Sequence, residues 1–165
     1  MVIPIFTIRQ PWAWAYAAGA IGFHPIDASD DYAGPLAVVA VNTRVRLPTD
    51  REWLREVAGV ENVPDSFAIS ALVGFVWSAG SCGRGDLPND HVLDDSRRYY
   101  RVFVQPLLLA EPVVRRHWAA DRGLPVDEAI RYASDTSGEL AGRWAETFRA
   151  LERGESCEGL RYERR

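Results

Sequence analysis

Val2-Ile3-Pro4-Ile5-Phe6-Thr7-Ile8-Arg9-Gln10-Pro11-Trp12-Ala13-Trp14-Ala15-Tyr16-Ala17-Ala18-Gly19 is the stretch on which the fold turns. Val2 to Ile8 is rich in β-branched and aromatic residues and reads as strand one. Pro11 suits the first turn of a helix, where its missing N–H has no partner to lose. Trp12 to Ala18 then reads as a short helix, and Gly19 ends it by taking a positive φ.

Downstream, Ala20 to Ile26 is ambiguous between coil and a short strand, and Asp27 to Pro35 reads as a loop. Leu36 to Val41 is an unbroken apolar run without helical period, hence a buried strand. Thr49 and Glu52 make a capping box ahead of Trp53, Leu54 and Val57, with Gly59 as the stop. Ile69 to Trp77 is a further strand, and Gly80 to Asp95 reads as loop. Tyr99 to Leu109 is a long strand whose Pro106 points to an edge position or a bulge. Pro125 to Ala133 reads as a helix with Val126 and Ile130 inward. Thr136 and Glu139 form a second capping box, opening a helix with a core-facing stripe of Leu140, Trp144, Phe148 and Leu151. Strands flanked by short helices predict an α+β class with a curved or closed sheet. No long linker interrupts the chain, so residues 1–165 are expected to form a single domain.

Composition agrees with one packed core: 165 residues, 47% hydrophobic and 25% charged. No segment reaches the ~18 apolar residues that span a bilayer, and the first residues lack a signal-like pattern. Cys82 and Cys157 sit in no CxxC pair, and His24, His91 and His117 are scattered. The expectation is a cytoplasmic protein with free thiols, no metal, no cofactor and no membrane partner. All nineteen basic residues are Arg, so no step can use a lysine amine of this chain. Net charge is −4, yet residues 97–122 carry six Arg against two acids, a band of +4 suited to a local polyanion contact.

Thr7-Ile8-Arg9-Gln10-Pro11-Trp12-Ala13 resembles the opening signature of ASCH domains, a strand followed by Arg/His-Gln-Pro-Trp-Ala and a helix. Gly34-Pro35-Leu36, Ala71 to Val76 with its central Gly74, and Tyr100 to Pro112 are similar to the family's later landmarks. The resemblance covers about residues 3–120 and leaves a helical extension over 124–153. It implies a PUA-like β-barrel with flanking short helices and a cleft beside the first helix. It further implies RNA or nucleotide binding, with amidohydrolase, ribonuclease and coactivator branches. The family motif usually continues Gly-x-Lys-x-x-Glu-x-Arg, but here it reads Gly19, Ile21, His24 and Ile26. An amidohydrolase needs a base and a charge to hold the oxyanion, so that reaction is not expected.

Candidate binding residues follow from chemistry. Arg9 and Gln10 lie between a strand and a helix N-terminus, a junction that favours anions, and Arg9 offers a forked donor to phosphate. Trp12 is a candidate base-stacking ring. Trp14, about 200° away on the helix, cannot face the same cleft. Arg97-Arg98-Tyr99-Tyr100-Arg101, with Arg115 and Arg116, interleaves basic and aromatic residues as nucleic-acid binders do. On a strand, Arg97, Tyr99 and Arg101 share one face and Arg98 and Tyr100 the other. The bland alternative is a solvated strand edge whose arginines offset the acidic 86–95 loop. His24 reads as a hydrogen-bonded or surface histidine, Asp27, Asp30 and Asp31 as a solvated loop, and Cys82 as an ordinary thiol. The leading expectation is a non-catalytic module for RNA, single-stranded nucleic acid or a nucleotide. The alternatives are a ribonuclease or other hydrolase with an altered site, and a protein-interaction adaptor.

Overall fold

The computed structural model describes residues 1–41, 52, 55–56, 70–87, 97–118 and 122–155. The chain begins with β1 (Val2–Ile3), β2 (Ile5–Arg9), α1 (Trp12–Ala17), β3 (Phe23–Ile26) and β4 (Ala33–Val41). It continues through β5 (Ala71–Gly83), a 3-10 turn (Arg84–Asp86), β6 (Tyr99–Val114) and β7 (Leu124–Pro125), ending in α2 (Val126–Ser134) and α3 (Glu139–Glu152). The class is α+β. Five strands form one sheet in the order β2-β4-β5-β6-β3, with β2 parallel to β4 and every other pair antiparallel.

The sheet curls into a half-barrel. Phe6 of β2 and His24 of β3, on strands at opposite ends of the order, bring their rings to 4.9 Å. The concave side holds one core: Ala13, Tyr16 and Ala17 of α1 against Val38, Ala40, Val76 and Phe103. Helix α1 thus plugs the hollow. Gly74 permits its approach, because a Cβ there would stand 2.7 Å from Ala17 Cβ and collide with the Leu107 carbonyl. Gly19 takes φ +77 after the helix, as its position predicts.

The convex side holds the second core. Phe75, Trp77, Trp144 and Phe148 place their rings 4.9–6.4 Å apart between the sheet, α2 and α3. Trp144 and Phe148 are buried, and burying such a ring contributes roughly 1.5–3 kcal/mol. Leu140 and Leu151 complete the predicted α3 stripe at its margins. In α2, Val126 is buried and Ile130 packs part-buried on the same core.

Four local readings need correction. Strand one is split at Pro4: Val2–Ile3 pairs with Leu124–Pro125 in a separate two-stranded sheet, and only Ile5–Arg9 joins the main one. Strand β4 starts at Ala33, inside the predicted loop. Strand β5 runs on to Gly83 through the supposed loop, because Ser81, Cys82 and Gly83 pair with Arg101, Tyr100 and Tyr99 across a bulge. Thr136 does not cap α3, since its hydroxyl donates to the Tyr132 carbonyl (3.2 Å) and accepts from the Ala110 N–H (3.3 Å). Gly138 is the N-cap residue instead. The helix expected after Thr49 and the 88–95 part of the acidic loop fall largely outside the described residues.

Pro106 lies beside a bulge, with Gln105 at φ +51. Strand β3 pairs with Tyr99 to Val102 and the Phe103 N–H bonds the Gly22 carbonyl at 2.8 Å, so beyond Phe103 β5 is the one strand among the described residues that pairs with β6. No helix among the described residues is long and apolar enough to cross a membrane.

Candidate nucleic-acid interface

The basic and aromatic run straddles the start of β6, with Arg97 and Arg98 just before it and Tyr99, Tyr100 and Arg101 as its first residues, and Arg115 and Arg116 follow just past its last. Tyr99 lies opposite Gly83 and Val114 opposite Ala71, so the two groups mark opposite ends of the sheet. At ~3.3 Å per residue they are up to roughly 40 Å apart. Arg9 pairs with Val41, next to Ala40, which faces Ala71; Arg9, Gln10 and Trp12 therefore sit at the Arg115 end. The structure does not bring the predicted site residues into one cleft.

At the first end, Phe103 belongs to the concave core, and alternation puts Arg101 and Tyr99 on that same face. Their cross-strand partners are His24 and Ile26. Tyr100 is on the other face and fully buried, so it cannot stack a base. Arg97 and Arg98 are exposed, and the Arg98 guanidinium lies 5.3 Å from the Tyr99 ring centre, a cation–π contact.

Two of these arginines are engaged by a loop read from sequence as merely solvated. Arg97 pairs with Asp27 and Arg101 with Asp30. Asp30 is held from three sides. Its N–H donates to Ser81 Oγ at 2.9 Å, its Oδ1 accepts the Tyr32 N–H at 2.8 Å, and its Oδ2 meets Arg101. Ser78 Oγ donates to the Tyr32 carbonyl at 2.9 Å and fixes the loop's far side. Burial lowers the Arg101 pKa, and Arg101 Nε is buried with no hydrogen-bond partner among the described residues.

Behind this end, His24 closes the seam between β2 and β3. Its ring packs on Phe6, Tyr16 and Phe103, and Nδ1 lies 3.0 Å from the Tyr16 hydroxyl. That hydroxyl also donates to the Phe23 carbonyl at 3.1 Å. Burial, then the charge of Arg101, lower His24 from 6.5 to about 4. Burial raises the Tyr16 pKa far above the ordinary tyrosine value.

At the second end, Arg115 is a clamp between β6 and α2. It bonds Glu128 and Tyr132 and lies 4.7 Å from the Trp118 ring centre. Its hydrogen bond to Glu128 raises its pKa against the opposing effect of burial. Arg116 is exposed. Gln10 is buried, and its Oε1 accepts the Trp14 N–H at 3.1 Å, while Pro11 O takes the Ala15 N–H. Gln10 is thus a cap for the six-residue α1, and Trp12 and Trp14 both pack half-buried on the concave core. Arg9 is exposed at the end of β2.

Neither a family model nor a curated relative matches this chain.

Sequence reasoning missed Asp27, Asp30 and the Phe6–Tyr16–His24–Phe103 cluster. The one legible signal was reciprocal charge, an acidic 27–31 loop and a basic 97–101 run. Among the described residues no His, Cys, Asp and Glu side chains gather as a metal site. Cys82 is half-buried and in no disulfide among the described residues, and Cys157 lies outside them.

Proposed function

We propose that this chain is a non-catalytic, ASCH-like module that binds single-stranded nucleic acid, RNA in the first instance, at the Tyr99 end of β6. The observation that carries this reading is the Arg98–Tyr99 pair at the exposed start of the strand, 5.3 Å apart, flanked by Arg97 and Arg101. A tyrosine ring offers a stacking face to any base, and a guanidinium beside it meets the adjoining phosphate. Arg98 pairs with no carboxylate among the described residues. The resemblance of Thr7 to Ala13 to the ASCH signature points to the same class of ligand.

Support for binding without hydrolysis comes from the departed motif positions. Ile21 is buried at 1% exposure in the concave core, and His24, with a pKa of about 4, is a weak general base at neutral pH.

Fluorescence anisotropy with a labelled single-stranded RNA tests the reading. With Arg97 and Arg101 tied to aspartates, one or two arginines engage phosphate, so log affinity against log salt should slope about −0.7 to −1.4. Tyr99→Ala should weaken binding by ~1–3 kcal/mol at every salt concentration. Arg98→Ala should flatten the slope by about 0.7. Arg116→Ala, at the far end, should change neither. Absence of binding at low salt would favour a protein-interaction adaptor instead.

A further inference from the structure

The acidic loop and the basic strand start match each other more closely than a scatter of surface pairs would. Arg97 and Arg101 are four residues apart, and their partners Asp27 and Asp30 come from one loop. Both carboxylates occupy guanidinium groups that a phosphate chain running along this strand would need. Between the two engaged arginines stand Arg98 and Tyr99, which the loop leaves stacked on each other.

We propose that residues 27–30 form an internal polyanion mimic that occupies Arg97 and Arg101 and holds the interface in a low-affinity state. The inference rests on the nucleic-acid reading above and adds its regulation.

The two contacts differ in strength. The Asp27–Arg97 pair lies at the rim, with side chains 86% and 49% exposed, and solvent screens it. The Asp30–Arg101 pair is 28% and 21% exposed and is locked by Ser81 Oγ and the Tyr32 N–H. A phosphate chain therefore displaces Asp27 first and reaches Arg101 only by competing with a preset carboxylate. Ala28 and Ser29 are exposed, which leaves the Asp27 arm room to swing away.

The test compares wild type, Asp27→Asn, Asp27→Asn/Asp30→Asn, and the double variant with Arg97→Ala/Arg101→Ala added. Each is titrated with labelled single-stranded RNA across a salt series, with circular dichroism to confirm folding. Asp27→Asn alone should tighten binding on the order of two- to fivefold at low salt, as a screened surface pair allows. The double variant should bind tighter still, and its salt slope should steepen by about 1.4, two added contacts at ~0.7 each. Adding Arg97→Ala/Arg101→Ala should return both quantities to wild type. If wild type binds and the asparagine variants match it in affinity and slope, the mimic is refuted and the binding reading stands. If no variant binds, both are refuted. Should Asp30→Asn unfold the protein, the single Asp27→Asn variant decides the matter, since its rim contact carries little of the fold.

Discussion

His24→Phe isolates the electrostatic state of the barrel seam. In the folded chain His24 is held near 4, first by burial and then by Arg101 opposite it, whereas an unfolded histidine titrates near 6.5. Below pH 6.5 the unfolded chain gains a proton that the folded chain refuses. Stability therefore falls as pH drops from about 6.5 and levels off below about 4, where both states are protonated. The shift of about 2.5 units at 1.36 kcal/mol each corresponds to about 3 kcal/mol lost between pH 7 and pH 4, nearer 2 once solvent at the half-buried ring is counted. Phenylalanine keeps a ring against Phe6 and Phe103, and Tyr16 retains the Phe23 carbonyl as acceptor. Urea unfolding of both proteins from pH 7 to 4 gives the difference directly, and carboxylate losses common to both cancel. Parallel curves for wild type and variant, or a His24 ring resonance titrating near 6.5, would refute the reasoning.

Three other outcomes follow from the packing and the altered motif. Gly74→Ala should destabilise by on the order of 3 kcal/mol, seen as a lower urea midpoint, because its methyl meets Ala17 and the Leu107 backbone. Phe148→Ala should cost ~3–5 kcal/mol in the same assay, leaving a cavity beside Phe75 and Trp144. Incubation with acylated cytidine should release no acid above a blank by chromatography. Turnover that Arg9→Ala abolishes would overturn the non-catalytic reading.

The hydrophobic runs made the sheet legible. Leu36 to Val41, Ile69 to Trp77 and Tyr99 to Leu109 are short apolar runs without helical period, the structure forms strands over their described parts, and Pro106 marked its bulge. The end of β5 was hidden because Ser78 to Gly83 has loop composition; long-range pairing with β6 overrides that local preference. Thr136 was misread for a related reason, since its hydroxyl answers Ala110, 26 residues away. The interface was half legible. A charge count finds the basic run, but Asp27 and Asp30 stand 70 and 71 positions from their arginines, and no local pattern encodes that meeting. Burial of Tyr100 was equally invisible, because it sits within a run that holds Arg97, Arg98 and Arg101.

Beyond Phe103, whose N–H bonds the Gly22 carbonyl, no other strand among the described residues pairs with the outer side of β6, and an open sheet edge invites other chains to add strands. Three features along it work against that. The Arg115 N–H turns toward the Ser70 carbonyl, so alternation turns position 112 outward, and there a proline has no N–H to offer. The Ala110 N–H is already taken by the Thr136 hydroxyl, and Glu111 adds an exposed charge between them. The hydroxyl that failed as a helix cap therefore withholds from an incoming strand one of the N–H groups it would need.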